Sequence, residues 1–191
     1  MKKIWKGAVA AGLCMTLAAC GGEETSPVQE ALSFRTDLLA VEQCTFTAQV
    51  TADYGERAYT FGLDCVYEPR NDRAELTVTE PESIAGITAA MEGTDGTVAF
   101  DGTALELGTL ASGKTAPMAL PQLLGQAWTG GYIESQTAAD SGFLVTYQVG
   151  YEQDALMVYT AFDEGGIPLW AEIYDEDTCV LQAELSNFTM K

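Results

Sequence analysis

The sequence predicts a mainly β domain of the α+β class, with about eleven antiparallel strands, one helix ahead of them and a second helix inserted midway. Three observations lead there. From Cys44 to Phe188 the chain runs in short segments of period-two alternation broken by Gly, Asp, Asn and Pro, the pattern of strands joined by tight turns. Two segments, 27–41 and 118–128, instead carry apolar residues at i, i+3 and i+4. Reflecting the alternating segments through their turns lays apolar residues against apolar residues on a single face.

The first helix is predicted over 27–41, with Pro27 at its N1 position and Val28, Ala31, Leu32, Phe34, Leu38 and Leu39 along one stripe. A hairpin turning at 53–56 then sets Val50 against Tyr59, Ala48 against Phe61, Phe46 against Leu63 and Cys44 against Cys65. Thr45, Thr47, Gln49 and Thr51 hold the other face, so a slip of one residue would bury a polar row. The next turn, at 69–72, pairs Leu76 with Cys65, Val78 with Leu63 and Glu68 with Arg73. Strands follow over 86–92, 97–100 and 103–107, the last two joined by Asp101-Gly102, a two-residue hairpin signal. The small, polar stretch 108–117 reads as a flexible loop. In the second helix, 118–128, Leu120, Leu123, Leu124, Ala127 and Trp128 share a face, and Gly130-Gly131 ends the run. Later strands are expected over 132–137, 143–149, 155–162, 169–174 and 178–188. A turn at 175–177 sets Ile173 against Cys179, Ala171 against Leu181 and Leu169 against Ala183.

Ahead of the domain, Lys2, Lys3 and Lys6 precede a short run of small and apolar residues, and charge returns only at Glu23. That order is the one export signals use, and the run is too short to span a bilayer. Leu17-Ala18-Ala19-Cys20 resembles the lipobox of bacterial lipoproteins, which implies cleavage before Cys20 and acylation of its thiol. The organisation expected is a signal peptide at 1–19, a lipidated tether at 20–27 and one domain at 28–191. The location implied is the extracytoplasmic face of the cell membrane. An ordinary secreted protein cut at an Ala-x-Ala-like site is the alternative.

With 9 basic residues against 28 acidic ones, the chain has a net charge of −19, which repels phosphate backbones and anionic headgroups. Nucleic acid is therefore excluded as a partner, and the membrane is held through acyl chains at about 0.8 kcal/mol per buried methylene. The chain has no histidine, which removes the commonest general base and metal ligand together. Gly-x-Ser-x-Gly, Ser-x-x-Lys, Walker and Rossmann patterns are all missing from the sequence. No catalytic residue, cofactor or metal is expected, and the chain is read as a protein without enzyme activity. The acidic clusters Asp163-Glu164 and Asp175-Glu176-Asp177 read as solvated turns, since neither has the ligand spacing of a calcium loop. Cys44 and Cys65, predicted opposite each other, form either a disulfide or two reduced core thiols, the disulfide being favoured outside the cytoplasm. Cys179 is expected to face inward as an inert thiol.

An early hairpin, the Tyr67-Glu68-Pro69 corner, a strand over 74–79 with Pro81 beyond it, and Asp101-Gly102 occur here in one order. That order resembles the LolA/LolB superfamily of lipoprotein carriers, which includes the RseB-type sensor domain, over 28–188. The resemblance implies an unclosed barrel with an apolar concave side capped by helices. Its cavity would be floored by Phe46, Tyr59, Phe61, Leu63, Val78, Phe143, Tyr147 and Tyr159, with Leu120, Leu123, Leu124 and Trp128 as the lid. It also implies a lipid, acyl chain or lipoprotein as ligand, and a part in envelope lipid or lipoprotein handling. Alternation tells which face is apolar and not whether it is filled, so a closed core of the same residues stays open as an alternative. In that case the acidic exterior docks a basic envelope protein, with Trp170 and Tyr174, opposite the core face, as contacts. One departure is Glu68, at the position before the corner proline where the carrier has a functional arginine; basic residues come later, at Arg70 and Arg73.

Overall fold

Each strand of this chain pairs with the strand next to it in sequence, with one break, and that break decides the architecture. The computed structural model describes residues 27–53, 58–93, 95–100, 102–109, 117–151 and 155–191. The export signal, Cys20, the tether up to Ser26 and loop residues 110–116 lie outside the described residues. In chain order the elements are α1 (Pro27–Ala40), β1 (Cys44–Asp53), β2 (Ala58–Glu68), β3 (Arg73–Glu80), β4 (Thr88–Glu92), β5 (Asp95–Phe100) and β6 (Thr103–Thr109). A 3-10 turn at Pro117–Ala119 then leads into α2 (Leu120–Gly130), followed by β7 (Tyr132–Ala139), β8 (Gly142–Val149), β9 (Leu156–Phe162), β10 (Pro168–Asp175) and β11 (Thr178–Met190). The spatial order is β6-β5-β4-β3-β2-β1-β11-β10-β9-β8-β7, all antiparallel. β1 and β11 meet in the middle, and the sheet fails to close only between β6 and β7. The connection across that opening carries α2.

The β2–β3 register is the expected one, with Leu63 opposite Val78, Cys65 opposite Leu76 and Glu68 opposite Arg73. The first hairpin differs by two residues. Cys44 faces Tyr67, Phe46 faces Cys65, Ala48 faces Leu63 and Val50 faces Phe61, with pairing continuing to Asp53 and Ala58. A shift of two keeps every side chain on its own face, so alternation cannot detect it. The consequence falls on the cysteines: the expected Cys44–Cys65 disulfide is not formed, and both are buried free thiols on diagonal positions. Burial pushes the Cys44 thiol up to about 12 and raises Cys65 as well.

Bulges account for the other departures. Ile173 pairs with Leu181 but Tyr174 pairs with Cys179, leaving Val180 as the extra residue in β11. Cys179 is thereby turned to the Tyr174 side and half-buried, not inward as expected. Leu169, the extra residue between the Pro168–Phe162 and Trp170–Ala161 pairs, is exposed, and Ala171 takes the place opposite Ala183. At Asn187, which has φ +53°, a third irregularity lets Phe188 join the core although Leu181, Ala183 and Leu185 have the opposite parity.

α1 buries only Ala31, Phe34 and Leu38, while Val28, Leu32 and Leu39 of the expected stripe stay exposed. α2 is buried far more completely, with Leu120, Pro121, Gln122, Leu123, Leu124, Gly125, Ala127 and Trp128 all inside. It lies on the concave side of the sheet, between α1 and strands β2, β3, β8 and β9.

Candidate ligand site

The concave face is built from inward residues of eight strands, β1–β4 and β8–β11, and α2 occupies its middle. Trp128 is fully buried and edge-on to Phe34 and Phe46, with ring centroids at 5.8 and 5.7 Å, and 5.9 Å from Phe188. Its indole Nε1 donates to Thr160 Oγ1 at 3.1 Å, which explains how a threonine occupies the core at 0% exposure. Phe34 packs on Phe162 at 4.8 Å, and Phe162 stacks on Phe143 at 4.9 Å. On the other side of α2, Gly125 rests against the ring of Tyr67, where any Cβ would lie 2.3 Å from Cε2.

Two polar clusters hold α2 in place. Asp72, in the β2–β3 turn with φ +46°, accepts from Gln122 Nε2 at 2.8 Å, Gln126 Nε2 at 3.0 Å and the Tyr67 hydroxyl at 3.0 Å. Aspartate tolerates that left-handed conformation, and its backbone carbonyl accepts from Gln122 as well, at 2.9 Å. Arg35 of α1 donates to the carbonyls of Trp128, Ala127 and Gly131 at 2.9, 3.3 and 2.6 Å, satisfying the C-terminal end of α2 with a cation where the helix dipole favours one. Its guanidinium lies 5.8 Å from the centroid of the Tyr147 ring. Two buried polar atoms, Tyr147 Oη and Gln122 Oε1, have no hydrogen-bond partner among the described residues. Burial raises the Tyr147 hydroxyl, with Arg35 opposing, and burial likewise raises Tyr67.

Of the expected floor and lid, Phe46, Leu63, Val78, Leu120, Leu123, Leu124, Trp128, Phe143 and Tyr147 are brought together, all buried around α2. The helix is thus a plug seated among the floor residues, with both of its sides covered. Phe61 is half-buried, and Tyr59, stacked on it at 6.4 Å, is 44% exposed on the concave face of the first hairpin. Tyr159 is a correction: it lies on the outer face, 5.2 Å from Tyr174, because Leu156, Val158, Thr160 and Phe162 take the inward positions of β9. Apolar residues stand at both parities in β9, so alternation alone gave the wrong face.

Beside the C-terminal ends of both helices an open cleft of about 770 Å³ is lined by Leu39, Pro69, Asp72, Gln126, Tyr132 and Tyr151 among others. A second concavity, about 590 Å³, lies on the outer face and is dominated by threonines, including Thr45, Thr47, Thr77 and Thr88. Among the described residues no cluster of carboxylates and thiols is arranged to hold a metal ion, and no helix is long and apolar enough to cross a membrane.

Sequence reasoning missed Arg35, Asp72 and Thr160. Arg35 stands out only in hindsight as a lone cation on the apolar side of α1; Asp72 was visible as a turn residue but not as a hydrogen-bond hub.

No family model matches the chain, and no curated protein is similar to it in sequence. Solved structures are similar in shape. A putative outer membrane lipoprotein-sorting protein domain from Vibrio parahaemolyticus superposes with a TM-score of 0.50 at 7% identity, over 86% of this chain and 92% of that one. A LolA superfamily protein from Nitrosomonas europaea matches with a TM-score of 0.46 at 11% identity, over 84% and 93%. The Mycobacterium tuberculosis lipoprotein LppX matches at 0.42 and 15% identity, over 85% and 92%. At such identities the likeness concerns the fold, and the fold is plain: the chain has a LolA-like architecture, an unclosed eleven-stranded antiparallel sheet with a helix seated on its concave side.

Proposed function

We propose that this protein binds a hydrophobic ligand, an acyl chain or lipid, on the concave face of its half-barrel, with α2 exchanging places with the ligand. The protein is held at the extracytoplasmic face of the membrane through an acylated Cys20, and it serves envelope lipid or lipoprotein handling by binding, without catalysis. The observation that carries this reading is the position of α2. It fills the middle of the apolar concave face, against β2, β3, β8 and β9, and it is held by side chains and not by a ladder of backbone hydrogen bonds.

Magnitudes favour an exchange. Burying the large apolar side chains of α2 contributes on the order of 10 kcal/mol at about 2 kcal/mol each. A sixteen-carbon acyl chain, at about 0.8 kcal/mol per methylene, offers roughly 12 kcal/mol. One chain and α2 therefore compete on near-equal terms, and a two-chain lipid displaces the helix. The exposed Tyr59, the half-buried Phe61 and the cleft beside Leu39 and Tyr132 are apolar surface already open at the margins of the plug.

The test is mass spectrometry of organic extracts from a soluble form starting at Glu23, together with uptake of a fluorescent fatty acid. Co-purified lipid, or saturable uptake, supports the reading. A protein that carries no lipid and takes up none rules it out.

A further inference from the structure

The face of the sheet opposite the candidate ligand site carries an aromatic and acidic strip along β10. Trp170, Glu172 and Tyr174 alternate there, and their cross-strand neighbours are Glu184, Gln182 and Cys179 on β11 and Ala161, Tyr159 and Met157 on β9. Trp170 is 37% exposed, although bulging of Leu169 exposes that residue too. Tyr159 and Tyr174 meet edge to face at 5.2 Å. Glu172 accepts from the Tyr174 hydroxyl at 3.2 Å and from Gln182 Nε2 at 3.4 Å, so its side chain is held against the tyrosine ring. That carboxylate, foremost, raises the Tyr174 hydroxyl. The exposed turn Asp175-Glu176-Asp177 continues the strip at its far end.

The charge pattern is one-sided. Between Gly142 and Met190 the sequence contains no lysine or arginine at all. Among the described residues the carboxylates of Glu172 and Glu184 take part in no salt bridge. Aromatic faces attract cations, and most strongly beside carboxylates that have no counter-ion of their own. Anionic lipid and nucleic acid meet the same field as repulsion, and so does a second copy of this acidic chain.

We propose that the outer face of β9–β11 docks an extended, lysine- or arginine-rich segment of a partner protein, with its cations over Trp170 and Tyr174 and between Glu172 and Glu184. The strip from Trp170 to Tyr174 is roughly 13 Å long, enough for four or five extended residues. This site lies on the other side of the sheet from the lipid-binding proposal and is independent of it.

The intact chain is titrated into a fluorescein-labelled lysine-rich peptide and followed by anisotropy. Binding is expected at low salt, weakening as salt rises. The Trp170→Ser/Glu172→Gln/Glu184→Gln variant loses roughly tenfold in affinity, whereas Glu80→Gln/Glu82→Gln, which removes two exposed acids elsewhere, retains wild-type affinity. No binding by the wild type overturns the proposal. Equal losses in the two variants overturn it as well, since they reduce the effect to net charge. Circular dichroism of both variants confirms that the comparison is made between folded proteins.

Discussion

Replacing Gly125 with alanine tests whether α2 is seated as described. The added Cβ would lie 2.3 Å from Cε2 of Tyr67 and 2.4 Å from Cδ2 and Cζ, whereas carbon atoms in contact sit about 3.5–4.0 Å apart. The ring cannot step aside, because Tyr67 is 1% exposed and its hydroxyl is tied to Asp72 and Thr129. α2 must therefore lift from the sheet by more than about 1 Å. In a free helix the same substitution would stabilise by about 1 kcal/mol, and overpacking a core costs about 1–3 kcal/mol. The net expectation is a loss of up to about 2 kcal/mol, or a Tm lower by several degrees in a domain of this size. Urea unfolding measures the loss, and fluorescent fatty-acid uptake, expected to rise, reports the loosened plug. Removing the ring with Tyr67→Leu should make the double variant less destabilised than the sum of the singles. A Gly125→Ala protein more stable than the wild type, with unchanged uptake, would refute the packing argument.

Three further outcomes follow from the same contacts. Tyr147→Phe removes a buried hydroxyl that has no hydrogen-bond partner among the described residues, so equilibrium unfolding should show no loss and a gain of up to about 1 kcal/mol. Arg35→Met keeps much of the side-chain volume but takes the Arg35 donor from the carbonyls of Trp128 and Gly131, while that of Ala127 keeps the Gly131 N–H; a loss of about 1.5–3 kcal/mol is expected, with faster amide exchange in α2. The raised Cys44 thiol makes stability fall at alkaline pH. Its contribution is fully present below the ordinary value of 9.0 and is lost as pH rises toward about 12, at up to about 1.4 kcal/mol per pH unit for each such thiol. Cys44→Ala/Cys65→Ala should flatten that slope most between pH 9 and 10, because Tyr67 and Tyr147, raised from an ordinary value of 10.0, add to it chiefly above pH 10.

Much of the fold was legible because the sheet is a meander. In such a topology each strand's partner is its neighbour, so β2–β3 could be registered from the Pro69–Asp72 turn alone, and Glu68 does face Arg73. What alternation could not read were displacements that preserve parity and residues that break it. The first hairpin slipped by two without moving any side chain to the other face, and that was enough to separate Cys44 from its expected partner. The bulges at Val180, Leu169 and Asn187 reset parity within single strands, turning Cys179 and Leu169 outward and Phe188 inward.

The candidate site was read in composition but not in occupancy. Five of the eight expected floor residues are buried around α2, whose own Leu120, Leu123, Leu124 and Trp128 are buried against them, since a helix apolar on one side and a sheet apolar on one face must cover each other. The sequence gives no count of how deeply the helix sinks. That depends on Gly125 admitting Tyr67, on Thr160 meeting the Trp128 indole and on Arg35 closing the helix end, all of them contacts between residues more than thirty positions apart.

The most direct test of the exchange between α2 and ligand is a crystal structure of the domain grown with a long-chain fatty acid. The account predicts an acyl chain against Phe46, Leu63 and Val78, with α2 displaced and its Asp72 hydrogen bonds broken. A fatty acid that is absent, or bound elsewhere while α2 keeps Trp128 on Thr160, would contradict it.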